Sequence, residues 1–160
     1  MNIGINFNWY VQKHFSFDIG YRENDFIKFT DEKQFTDHLN KLCKKSIKKL
    51  IEYRNSMVNI EHAEIIILGY RFINDELWGN YHKGIISGLV GNLNNLNIFF
   101  QKLLDTNYEN FDWIKELKNK TSHLKEIANN NKNNFKKEII EIIKETRNEK
   151  KLDEKEIIIE

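Results

Sequence analysis

The chain has 160 residues, of which 31% are charged and 40% hydrophobic, with a formal net charge of +1. That length holds one domain with a real core, and the composition is globular rather than disordered or membrane-embedded. Near-neutral charge excludes a basic nucleic-acid arm or an acidic tail as the dominant feature, and the lone Cys43 excludes an intrachain disulfide or a cysteine zinc cage.

Residues 1–30 carry eight aromatic side chains. Ile3, Ile5, Phe7, Trp9 and Val11 alternate with mostly polar neighbours, and Phe15, Phe17, Ile19 and Tyr21 alternate again. This is the period of a half-buried strand. Glu23-Asn24-Asp25 is a turn signal before Phe26–Phe29, so two or three short strands are expected in a hairpin or meander, packed on a helical body. At Thr30 the period becomes helical. Thr30 and Asp31 are good N-caps for a helix with Phe35, Leu39, Leu42, Ser46 and Leu50 on one face. Asn55 or Ser56 can cap a second helix carrying Val58, Ile65, Leu68 and Phe72, although nothing forces a break. Gly79-Asn80 reads as the next stop. A third helix follows, with Ile86, Leu89, Leu93, Leu96, Phe100 and Leu103 on one face, and Asp105-Thr106-Asn107 ends it.

A fourth helix begins near Asn110 or Asp112 with Trp113, Ile114 and Leu117 as its apolar side, and Lys118–Ser122 is a place for a turn. Residues 132–148 form a last helix with Phe135, Ile139, Ile142 and Ile143 inward. Ile157, Ile158 and Ile159 suggest a docked tail, as an added strand. The expected fold is therefore mainly α: an antiparallel bundle of four to six helices with a small N-terminal β-hairpin or meander. It forms one domain over residues 1–160, divided into a β-rich element (1–30), a helical bundle (31–148) and a tail (149–160).

The longest uncharged stretch, Gly84–Gln101, contains Asn92, Asn94, Asn95 and Asn97, which argues against a membrane span. Its Gly84 and Gly88 mark a close helix contact, inside the bundle or in a homodimer. The opening MNIGINFNWY lacks the basic and apolar regions of a signal peptide, so a cytoplasmic setting is expected. Asn runs such as Asn129-Asn130-Asn131 follow the chain's Ile/Lys/Asn bias and are not read as chemistry.

No two of His14, His38, His62, His82 and His123 stand at helical metal spacing, and no glycine-rich phosphate loop occurs. No metal and no cofactor are expected. Lys41, Lys44, Lys45 and Lys48 share a helical face. Such a row can track the phosphates of an RNA or form a solvated basic surface.

The most informative stretch is Lys118-Asn119-Lys120-Thr121-Ser122-His123. It resembles the R-N-x-x-x-H signature of HEPN domains, helical bundles found as ribonucleases in toxin–antitoxin, abortive-infection and CRISPR systems. The resemblance covers roughly residues 31–148. It implies a metal-independent ribonuclease, commonly a homodimer, or a degenerate version that binds RNA or a protein partner. Within it, His123 would move the proton, Lys118 would hold the phosphate and Asn119 would orient the pair. Lys118 stands where the family has arginine, which loses the planar fork. Lys125 stands where a tyrosine follows the histidine in the adenylylated toxins. A second hexad, Arg54-Asn55-Ser56-Met57-Val58-Asn59, keeps the arginine and loses the histidine. The alternative function class is a non-enzymatic interaction protein: an immunity protein, an antitoxin or a phage-encoded inhibitor. A small-ligand site near Trp78, Tyr81 and His82 is a third possibility.

Overall fold

The computed structural model describes residues 2–13, 16–22, 27–108, 111–152 and 157. Helix accounts for 70% of the chain, arranged as a bundle with a small antiparallel strand pair at its N-terminal end. Strand β1 (Asn2–Ile5) pairs with β2 (Ile19–Arg22), with Ile3 opposite Tyr21 and Ile5 opposite Ile19. The alternation of apolar residues continues to Val11, yet the ladder ends at Ile5. The reason lies in Asp18. Its backbone N–H donates to the Ile5 carbonyl (2.9 Å), while its carboxylate takes the Phe7 N–H (2.6 Å) and the Asn6 amide (3.0 Å). The chain leaves the sheet there and delivers Phe7 and Trp9 to the core as a stacked pair, centroids 4.4 Å apart. The expectation of a third strand falls partly on residues 23–26, outside the described residues; residues 27–30 form no strand.

Helix α1 (Glu32–Ser56) is capped by Asp31, whose side chain accepts from the Gln34 N–H. It packs on β1 and on α2 (Ile60–Gly69). The break falls later than Asn55 or Ser56: Asn59 caps α2 through the His62 N–H, and Val58 lies in the turn.

Gly79-Asn80 is not a stop. A π-helical turn (Asp75–Gly79), capped by Asn74, runs directly into α3 (Asn80–Val90). The single long helix expected through Phe100 is two helices. At Gly91 the backbone takes φ +91°, a conformation that favours glycine. Gly91 N–H and Asn92 N–H then bond to the Gly88 and Ser87 carbonyls, the paired bonds of a Schellman turn. Asn92, which the sequence offered only as an argument against a membrane span, caps α4 (Leu93–Leu104) through the Asn95 N–H.

Helix α5 (Asp112–Asn130) runs unbroken through the proposed turn at Lys118–Ser122. Asn131 caps α6 (Lys132–Glu149), another Asn with a structural task. The tail expected as an added strand falls mostly on residues outside those described.

Helices α3, α4, α5 and α6 close a ring, each packed on the next and α6 back on α3. Helix α3 also takes α2 and the π-helical turn on its other side. Tyr81–Leu89 is consequently buried throughout, and not along one stripe. The glycines make this possible: a Cβ on Gly88 would fall 2.5 Å from both Leu96 Cδ1 and Phe135 Cε1. Gly69, by contrast, has open space at its Cβ position, with no atom of the described residues beyond its own chain neighbours and helix backbone within 4 Å. Gly88→Leu is expected to overpack the ring and cost about 1–3 kcal/mol. Gly69→Ala should be neutral or add about 0.5–1 kcal/mol through unfolded-state entropy. Thermal melts of the two variants check the contrast, and a loss at Gly69 as large as at Gly88 would refute it.

Candidate functional site

Three groups of residues were singled out by sequence, and the fold treats them differently. The hexad lies in the middle of α5. Asn119 and His123, one turn apart, share an exposed face. Lys118 sits about 140° round the helix from His123 by helical geometry. Its Nζ donates to the Thr106 carbonyl just past the end of α4, where an ammonium also complements the helix dipole. The fold thus brings Asn119 and His123 together and holds Lys118 apart from them. Of the second hexad, Arg54 closes α1 and Asn59 caps α2. That junction is separate from α4 and α6, the helices packed on α5.

The lysines lie on one face of α1, as expected: Lys41, Lys44, Lys45 and Lys48 are all exposed, within an arc of roughly 100°. The neighbouring apolar face differs from expectation. A stripe of Phe35, Leu39, Leu42, Ser46 and Leu50 predicts an inward face, but in this helix of 25 residues only Ser46 is buried. Leu42 and Tyr53 are half-buried beside it. On the flank away from that contact line, Leu39, Cys43, Ile47, Leu50 and Ile51 are exposed, Ile47 by 58% and Ile51 by 52%. Helix α1 touches the body along one narrow seam, and among the described residues no element covers the flank beside it.

The Trp78-Tyr81-His82 region builds the most elaborate polar arrangement. His82 is 2% exposed. Trp9 Nε1–H donates to its Nδ1 (2.8 Å). An indole N–H can only donate, so Nδ1 is the acceptor and the neutral ring carries its proton on Nε2. That N–H faces Asp18 Oδ1 at 3.4 Å. Tyr81 turns inward and donates its hydroxyl to the Trp9 carbonyl (2.9 Å). Lys150, past the end of α6, donates to Asn6 Oδ1 and Asn8 Oδ1. One connected set of polar groups therefore fastens the N-terminal segment to α3 and to the end of α6. Beside it opens a cavity of about 310 Å³, with Asp18, Trp78 and His82 in its wall. Sequence reasoning found Trp78 and His82 but missed Asp18 and Trp9. Their roles depend on partners more than sixty residues away, and no local spacing signals them.

Among the described residues, no three His, Cys, Asp or Glu side chains converge as metal ligands, and no helix is long and apolar enough to cross a membrane. No protein-family model, curated protein or solved structure matches the chain.

Burial pushes the Tyr81 hydroxyl far above the usual tyrosine range, and burial with the nearby Glu116 carboxylate raises Tyr10. Both groups are harder to ionise folded than unfolded. Their contribution to stability is complete below about pH 10 and is lost as pH rises above it. Chemical denaturation at stepped pH should show this alkaline fall. Tyr81→Phe should flatten it, while costing about 1 kcal/mol at neutral pH for the lost bond to Trp9. An alkaline slope unchanged in Tyr81→Phe would contradict the assignment.

Proposed function

We propose that the protein is a non-enzymatic binding protein, in the class of immunity proteins, antitoxins and inhibitors, whose α1 docks an acidic amphipathic helix of a protein partner. The observation that carries this reading is the exposed flank of Leu39, Cys43, Ile47, Leu50 and Ile51, uncovered among the described residues. A contiguous exposed apolar strip of this kind marks an interaction surface. Helix-in-groove recognition uses such i, i+4, i+8 anchors. The charge beside it supports an acidic partner. Between His38 and Ile51 the chain has five lysines and no acid, and Lys41, Lys44, Lys45 and Lys48 border the strip on its outer side. A partner helix with an apolar seam and a carboxylate edge complements both. An RNA backbone would use the lysines and leave the leucine and isoleucine flank uncovered.

The test uses a synthetic amphipathic helix with a leucine seam bordered by glutamates, beside the same peptide with lysines for glutamates. Titrations followed by fluorescence anisotropy are expected to show saturable, salt-sensitive binding of the acidic peptide alone. Ile47→Ser with Ile51→Ser should abolish it while leaving the melting temperature nearly unchanged, because both side chains are exposed. Lys41→Glu, Lys45→Glu and Lys48→Glu together should also abolish it. Equal binding of the two peptides, or binding indifferent to both sets of changes, overturns the proposal. So does RNA binding lost on the lysine changes alone, or a dimer lost on the isoleucine changes, since each assigns the face to a different occupant.

The HEPN-like ribonuclease is a second reading, favoured by the shared exposed face of Asn119 and His123. Purified protein with EDTA and a mixed single-stranded RNA distinguishes it. On that reading His123→Ala removes cleavage by about 10²–10⁴-fold, and Lys118→Arg preserves or raises it. No cleavage by the wild type or by Lys118→Arg leaves the binding protein standing.

A further inference from the structure

The cavity between the N-terminal segment and α3 has a wall chemistry of its own. Among the described residues, the rings of Phe7, Tyr10, Phe17, Phe72 and Trp78 line it beside His82. Tyr10 meets Trp78 edge-on at 4.8 Å, and the His82 ring stacks near Trp78 at 6.0 Å. Among the described lining residues there is no lysine or arginine, and the single carboxylate is Asp18. His82 brings no charge while its Nδ1 accepts from Trp9.

Asp18 is held as a ligand group would be. Its Oδ2 is fixed by the Phe7 N–H and the Asn6 amide. Its Oδ1 faces His82 Nε2, which is buried and makes no hydrogen bond of good geometry with any group among the described residues. The carboxylate therefore keeps acceptor capacity toward the cavity, and its orientation is settled before any ligand arrives. The rings of this wall already attract cations from outside. Lys83 Nζ lies 5.8 Å from the Phe72 centroid and Lys120 Nζ 5.3 Å from that of Tyr10. Asp18 also feels the charge of Lys150, which is bound to Asn6 and Asn8 and is not among the described lining residues. On the cavity side, a carboxylate among aromatic faces favours a ligand that is cationic and partly apolar, since ring faces attract cations. A volume of about 310 Å³ is at the small end of ligand sites.

We propose that this cavity binds a small organic ammonium ion, its charge against Asp18 Oδ1 and its alkyl groups on the surrounding rings. The inference is independent of the α1 reading, because it rests on other residues and another face.

The experiment is calorimetric titration of the full chain with choline, with n-butylammonium, and with the neutral isostere of choline in which a quaternary carbon replaces nitrogen. Both ammonium ions are expected to bind saturably, and the isostere about tenfold or more weaker. Phe17→Leu keeps an apolar side chain at a half-exposed position and removes the ring, so the fold is retained; choline affinity should fall by about three- to tenfold. Asp18→Asn should abolish ammonium binding. Because Asp18 also holds the Phe7 turn, its circular dichroism melt is recorded alongside, and Phe17→Leu carries the test if that variant does not fold. Absence of saturable binding by either ammonium ion overturns the proposal. Equal affinity for the neutral isostere, or choline binding unchanged in Phe17→Leu, does so as well.

Discussion

Helix α3 has no solvent face, and much of the molecule follows from that constraint. A helix surrounded by α2, α4, α6 and the π-helical turn must offer close approach on several sides, which glycine at 84 and 88 provides. Its buried polar side chains also call for partners, which Ser87 Oγ lacks among the described residues. His82 and Lys83 fall on it and are both buried. Lys83 reaches out to Asp75 Oδ1 (2.8 Å), on the π-helical turn just before it. His82 is met by Trp9 and Asp18, both brought from the N-terminal segment. The small β element is thus the polar lid that α3 requires as well as an apolar cover.

That arrangement explains why the strand alternation stops short of a longer sheet. Asp18 takes the Phe7 N–H, which a ladder would have used. In exchange the chain places the Phe7–Trp9 stack over α3 and aims the indole N–H at His82. The cost of breaking the ladder is offset by satisfying a buried ring that would otherwise lack a donor. The aromatic cavity lies beside this same departure from regular pairing, with Phe7, Asp18 and His82 in its wall.

The two ends of the bundle differ in how fully they are packed. The ring of α3, α4, α5 and α6 buries large side chains such as Phe100, Leu117, Phe135 and Ile139 completely. Helix α1 is longer than any of these four yet contributes one buried residue. Its amphipathic pattern is as regular as theirs, so its exposed strip is a property of arrangement rather than of composition. The structure separates a well-packed core from a helix whose apolar flank is uncovered among the described residues, and the proposed binding role rests on that separation.

Local signals were enough for much of the architecture. The change of period at Thr30, the cap at Asp31, and the apolar spacing of Phe135, Ile139 and Ile142 determined the helical class, the start of α1 and the extent of α6. These depend on residues within a turn or two of one another. The division of α3 from α4 was also written locally, in Gly91 and Asn92, but the apolar spacing that runs on from Ile86 and Leu89 to Leu93 and Leu96 disguised it. Tertiary structure alone decided the rest. It decided that Lys118 would be spent on the Thr106 carbonyl, away from Asn119 and His123. It decided that the strip beside the lysines would remain open, and that Trp9 and Asp18 would meet His82. Periodicity tells which residues share a face; which face meets which partner depends on contacts between distant parts of the chain, and these form only when the bundle closes.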